Sequence, residues 1–289
     1  MVTATVEEEE EKQEQEQMRD WLELPRDVIC LILMKLGPIG ILYGTAQSVC
    51  SLWRNLSKEP HLYQSINVLK NVSEFSPKVD YFDSYSIPNM IKEEVVDRSN
   101  GQLVEICLEK EGTDGLLHYI VDKSTSLKCL RLLFCYLVSR NGLMEIIRKV
   151  PLLEKLELYR TSFSVNVIAE IGQWCPRLNY LVLSCQYFPI SDKQAFAIAK
   201  NMPNLHSLHL YGNSLTNNGI ETILEGCPYL EHLEMRRCYK MDVRGELLKK
   251  CLERLKIFRY SNDPATDYEF DFDVVSYLAD VISDSTDEE

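Results

Sequence analysis

The pattern L-x-x-L-x-L recurs along this chain in a register that leaves few folds open. It occurs at Leu103-Ile106-Leu108, Leu127-Leu130-Leu132, Leu153-Leu156-Leu158 and Leu178-Leu181-Leu183, then at Leu205-Leu208-Leu210, Leu230-Leu233-Met235 and Leu252-Leu255-Ile257. The first positions are 24, 26, 25, 27, 25 and 22 residues apart. A unit of this length cannot bury its apolar face alone, so such units stack into a solenoid. Each x-L-x-L-x segment predicts a short parallel strand with its leucines inside and its x positions on the open face. Val165–Trp174, Asp192–Asn201 and 218–226 lie between strands and carry apolar residues at helical spacing, among them Ile168, Ile171, Ala195, Ile198, Ile220 and Ile223. Pro176, Pro203 and Pro228 stand two residues before the next strand's first Leu, where a helix must stop and an extended chain begin. Ser191-Asp192 and Thr216-Asn217 offer cap side chains to the following helices. The expected class is α/β, about seven repeats of parallel strand and helix.

Charge divides the chain differently. Of the net −13, residues 1–20 carry −6 and residues 261–289 carry −10, leaving +3 on the 240 residues between. No Lys/Arg-dense arm exists to neutralise phosphates, so nucleic acid is not an expected partner. The longest apolar run, Val28 to Met34, is far shorter than the ~18 residues a membrane span needs. The acidic first twenty residues are unlike a signal or transit peptide, which points to the nucleus or cytoplasm and to ten cysteines kept as thiols.

Residues 21–68 follow another rule. Pro25 suits a helix's first turn and Asp27 its positive end. Val28, Ile29, Ile32, Leu33 and Leu36 form an apolar stripe that Gly37-Pro38 stops. A second amphipathic helix is expected over 46–56, with Val49, Cys50, Trp53 and Leu56 on one face. A bundle this small is marginal alone, and part of its apolar surface is expected to meet a partner.

These residues carry a resemblance. Leu24-Pro25-x-Asp27-Val28-Ile29-x-x-Ile32-Leu33-x-x-Leu36, then Val49-Cys50-x-x-Trp53-Arg54 and Pro60-x-Leu62-Tyr63, resemble an F-box, with Tyr63 where many F-boxes have Trp. The repeats resemble cysteine-containing leucine-rich repeats: their tail position holds Cys135, Thr161, Asn213 and Cys238, though Glu111, Gln186 and Tyr260 elsewhere. The whole is similar to the plant F-box/LRR-repeat proteins. That resemblance implies a non-catalytic substrate receptor of an SCF-type ubiquitin ligase, with no cofactor. The F-box would dock a Skp-family adaptor, and through it cullin and RING subunits, by Leu24, Pro25, Val28, Ile29, Ile32, Leu33, Leu36, Val49, Cys50 and Trp53. The alternative is an F-box/LRR scaffold without ligase assembly.

The x positions give the candidate face for a protein substrate: Arg131, Glu157, Tyr159, Tyr180, His209, Tyr211, Glu234 and Arg236, with Lys155 and Lys256 among the other outward positions. His206-x-x-His209 makes no metal site, because i and i+3 on a strand point to opposite faces. No G-x-S-x-G, Walker A or H-E-x-x-H motif is present. Arg236 to Arg259 holds nine basic residues against three acids, and the acidic tail that follows is the expected screen for it. The expected organisation is an acidic disordered tail at 1–20, an F-box at 21–68, a connecting segment at 69–100, leucine-rich repeats at 101–260 and an acidic tail at 261–289.

Overall fold

The computed structural model describes residues 21, 23–67, 91–110, 112–159, 164–184, 190–238 and 242–261. Both acidic tails, Glu111, Thr161, Cys185, Gln186 and most of the connecting segment lie outside the described residues. One parallel sheet of eight strands runs in chain order. The strands are β1 (Ser65–Asn67), β2 (Glu105–Glu109), β3 (Cys129–Leu133), β4 (Lys155–Tyr159), β5 (Tyr180–Ser184), β6 (Ser207–Asn213), β7 (His232–Cys238) and β8 (Ile257–Ser261). Among the described residues two helices precede it, α1 (Arg26–Tyr43) and α2 (Ser51–Leu56). Six described helices alternate with the strands: α3 (Asp114–Lys123), α4 (Arg140–Ile147), α5 (Val165–Trp174), α6 (Asp192–Asn201), α7 (Asn217–Gly226) and α8 (Gly245–Arg254). No helix among the described residues is long and apolar enough to cross a membrane.

A backbone ladder fixes the repeat. One carbonyl before each strand accepts the two N–H groups that open the next: Gln64 from Val104 and Glu105, Val104 from Lys128 and Cys129, Lys128 from Glu154 and Lys155. The series continues through Glu154, Asn179 and His206 to Glu231, which accepts from Lys256 and Ile257. Two corrections follow. The last repeat is Leu255-Phe258-Tyr260, not Leu252-Leu255-Ile257, because Leu233 pairs with Phe258 and Met235 with Tyr260. Leu252 belongs to α8 and is exposed, Ile257 takes the open face, and Lys256 sits at the corner, 2.7 Å from Glu231. The spacing from Leu230 to Leu255 restores the 25-residue period. At the other end β1 adds a strand before Leu103, so the solenoid begins inside the segment expected to be F-box alone.

The F-box differs from expectation in its second half. Residues 46–56 are not one helix: a 3-10 turn at Ala46–Ser48 is separated from α2 by Cys50, which is extended at φ −161°, ψ 178°. That break turns Val49 outward. In α1 the chain kinks at Gly37, whose φ of 69° suits glycine, and Pro38 opens the next turn.

Ile29, Leu33 and Trp53 share one buried cluster with Leu103, Ile106 and the inward-facing leucines of β2 to β7. Tyr63 is the joint. It is fully buried, its hydroxyl donates to the Ser57 carbonyl at 2.6 Å, and Arg98 donates to that hydroxyl at 3.0 Å from the far side of the connecting segment. A Trp there could not accept from Arg98.

Side chains tie each repeat to the next. Thr113, Ser139, Ser164 and Thr216 accept the N-cap bonds of α3, α4, α5 and α7, and Ser191 forms a capping box with Gln194. The Asp114 carboxylate accepts the Ser139 N–H at 2.8 Å, and Asp192 accepts both the N–H and hydroxyl of Thr216 at 2.8 and 2.7 Å. Gly172 and Gly226 let adjacent helices close up: a Cβ on either would lie 2.5 Å from Asn201 O or Ala199 Cβ. Gly172→Val and Gly226→Val should each cost about 1–3 kcal/mol of stability and lower the thermal midpoint by several degrees. An unchanged melting curve would contradict the close packing.

Candidate functional site

The helical end presents an apolar surface that is not the stripe expected from sequence. Ile29, Leu33 and Trp53 are core; Leu24, Ile32, Leu36 and Cys50 are half-buried and pack against it. Pro25, Val28 and Val49 do face outward. The residues that dominate the surface are others: Leu31 at 59% exposure, Met34 at 57% and Trp21 at 58%, with Leu52 of α2 also exposed. Val28, Leu31 and Met34 follow one another at i, i+3 and i+6, so they line one side of α1 while Ile29 and Leu33 line the other. Trp21 meets Trp53 edge-on at 6.1 Å, which links the exposed surface to the core beneath it. The missed signal was legible: Leu31 and Met34 are the apolar residues that the inward stripe leaves over.

The open face of the sheet brings all eight candidate substrate residues into one band. Glu157 is central. Its carboxylate accepts from Arg131 Nε at 2.8 Å and the Tyr159 hydroxyl at 3.2 Å, and pairs with Lys155 at 2.8 Å. The Lys155 ammonium lies over the Tyr180 ring at 4.4 Å, and Tyr180 meets His209 at 5.1 Å. His209 Nδ1 is 3.3 Å from Glu234, its Nε2 is 2.8 Å from Ser207 Oγ, and Arg236 Nε donates to Glu234 at 2.5 Å. Tyr211 stacks beside His209 at 6.5 Å. Arg131 with Glu157 and His209 with Glu234 link neighbouring strands at one register position, whereas Lys155 with Glu157 and Arg236 with Glu234 lie two apart on one strand. Opposite charges one repeat apart were the signal for the pairs between strands.

The electrostatics follow from burial and pairing. Desolvation works against the charges of Arg131 and Lys155, and Glu157 outweighs it, so both hold their protons more firmly than usual. Tyr159 and Tyr180 are pushed up by burial and by the same carboxylate. The arrangement is a satisfied polar band with aromatic anchors, suited to binding.

The cysteines divide by burial. Cys135, Cys175 and Cys227 donate to backbone carbonyls at 3.4 to 3.9 Å. Asn213 does the same work at the tail position, donating to Leu210 O at 3.2 Å. Burial pushes Cys107 and Cys175 to about 12 and Cys227 and Cys251 to about 11, against an ordinary 9.0. Among the cysteines whose burial is described, Cys30 and Cys50 are the two that are half-buried and the others are buried. Iodoacetamide should therefore label these two well before Cys175 or Cys227, and equal rates would contradict the packing. A thiol whose pKa is raised on folding stabilises the fold below pH 9 and loses that contribution as pH climbs through 11–12. Denaturation midpoints should accordingly fall above pH 9.

Cys30, Glu59 and His61 place donor atoms within 4.8 Å of one another beside α1. The Arg26 guanidinium pairs with Glu59 at 2.5 Å, so a cation there would compete with a charge already in place.

Comparison with known proteins supplies the family. The F-box domain matches residues 21–65. Arabidopsis thaliana F-box/LRR-repeat protein 23 is 40% identical over 252 residues, which are 86% of this chain and 54% of that protein, so the chain spans about half of its length. F-box protein SKIP19 from the same plant is 39% identical over 248 residues, covering 86% of this chain and 79% of its own. Among solved structures, yeast Rad7 from its complex with Elc1 aligns over 63% of this chain and 49% of that one, at 15% identity and a TM-score of 0.48. A helical box whose core runs unbroken into a parallel solenoid, with relatives that match across both parts, identifies this chain as an F-box/LRR-repeat protein.

Proposed function

We propose that the chain is the substrate-recognition subunit of an SCF-type ubiquitin ligase, working in the nucleus or cytoplasm. The F-box holds a Skp-family adaptor, and the concave sheet face holds a protein to be ubiquitinated. The carrying observation is the exposed apolar side of α1, Val28, Leu31 and Met34, on a box that shares its core with the solenoid. Spaced apolar anchors on a helix are what a groove in a partner recognises. A shared core keeps the docked end and the concave face in fixed relation, so a substrate on the sheet stays near the conjugating machinery. The gain is proximity rather than chemistry by this chain.

Affinity capture of the full chain from plant cells tests this reading. Recovery of adaptor together with cullin is the expected result. Adaptor without cullin favours a scaffold outside the ligase, and recovery of neither removes the reading.

A further inference from the structure

Three side chains with metal-binding chemistry meet where the second half of the box folds back onto α1. Cys30 lies on α1, Glu59 precedes the 3-10 turn Pro60–Tyr63, and His61 lies within that turn. Their donor atoms, one sulfur, one oxygen and one nitrogen, all lie within 4.8 Å of one another. A tetrahedral ion with bonds of ~2.0–2.3 Å holds its ligand atoms ~3.3–3.6 Å apart. One edge has that length: His61 Nδ1 is 3.4 Å from Glu59 Oε2. The Cys30 sulfur needs a shift on the order of 1 Å to complete the set.

Arg26 stands on the other oxygen. Its guanidinium pairs with Glu59 Oε1 at 2.5 Å and leaves Oε2 facing His61. A ligating carboxylate is commonly hydrogen-bonded by an outer partner, and Arg26 is placed for that role. Its positive charge opposes a dication, but the side chain is 69% exposed, so water screens the repulsion. The ligand types decide which ion fits. Calcium and magnesium take oxygen ligands, whereas sulfur, imidazole and carboxylate together suit zinc.

We propose that Cys30, Glu59 and His61 bind one zinc ion, with water as the fourth ligand. The Cys30 thiol gives its proton to solvent, and thiolate and carboxylate together balance the two charges of the ion. Cys30 is 29 residues from Glu59 and 31 from His61, so the ion staples α1 to the turn that carries Tyr63. Zinc therefore holds the box together at the point where it joins the solenoid.

Zinc and cobalt added to the purified full chain test the site. One equivalent of zinc should slow iodoacetamide labelling of Cys30 at least about tenfold, read by peptide mass spectrometry, and leave Cys50 unchanged. Cobalt in place of zinc should give a thiolate-to-metal charge-transfer band in the near ultraviolet, and Cys30→Ser should remove it. His61→Asn, at an exposed position, should weaken zinc binding at least about tenfold and leave the metal-free melting curve unchanged. Cys30 labelled at one rate with and without zinc would overturn the proposal. So would equal protection of Cys50, a cobalt band that survives Cys30→Ser, or a His61→Asn chain that binds zinc as tightly as the parent. No readout involves an adaptor, so failure here leaves the ligase reading standing, and failure of adaptor capture leaves the zinc site standing.

Discussion

Replacing both Leu31 and Met34 with glutamate should abolish the proposed adaptor binding and leave the fold intact. Both side chains are more than half exposed, at 59% and 57%, so the new carboxylates stay in water and the helix keeps its inward stripe. Glutamate is a good helix former, which removes propensity as a cause of any loss. Two charges carried into a desolvated apolar groove remove the anchors and add an unpaired burial cost. A loss of at least ~100-fold in affinity is expected, as for central anchors of other interfaces. Pull-down with purified adaptor measures the loss, and circular dichroism with a thermal melt checks the fold. The same substitution at Ile29 or Leu33, both fully buried, should instead unfold the box. Adaptor binding that survives Leu31→Glu with Met34→Glu would place the docking surface elsewhere.

Glu157→Ala is the most damaging single substitution expected on the sheet. Its carboxylate lies between Arg131 and Lys155 and accepts from Tyr159 as well. Without it Arg131, whose side chain is 9% exposed, keeps its charge with its main partner gone. Removing one member of a buried pair costs about 3–5 kcal/mol, because the other charge stays desolvated. At about 2–4 °C per kcal/mol the thermal midpoint should drop by roughly 10 °C. Glu157→Leu combined with Arg131→Met removes the charge with its partner and should recover most of the loss. If the double variant is as unstable as Glu157→Ala, packing rather than the stranded charge is responsible.

The two surfaces show what sequence could and could not supply. The solenoid was legible because its signal is repeated: each leucine pair is checked by the next at a fixed spacing. The register slipped only at the last unit, where Leu252 on α8 mimics a strand position and no further repeat follows to expose the error. The F-box was legible as a motif, but a motif marks core and surface alike. Ile29, Leu33 and Trp53 form the box's core, while Leu31 and Met34 occupy unassigned positions of the pattern. On the sheet, outward positions read as free side chains. Pairing between repeats buries Glu157 and Glu234 instead, which no single-strand reading reveals. The break at Cys50 has no cue in residue type, since the stretch from Ala46 to Leu56 keeps helical spacing throughout.

Reconstitution tests the central claim most directly. The full chain, a Skp-family adaptor, a cullin and its RING subunit are purified separately, mixed at micromolar concentration and passed through size exclusion with light scattering. The account predicts one species containing all four proteins, lost when the chain carries Leu31→Glu and Met34→Glu. A wild-type chain that elutes apart from the adaptor, or with the adaptor but apart from cullin, would contradict it.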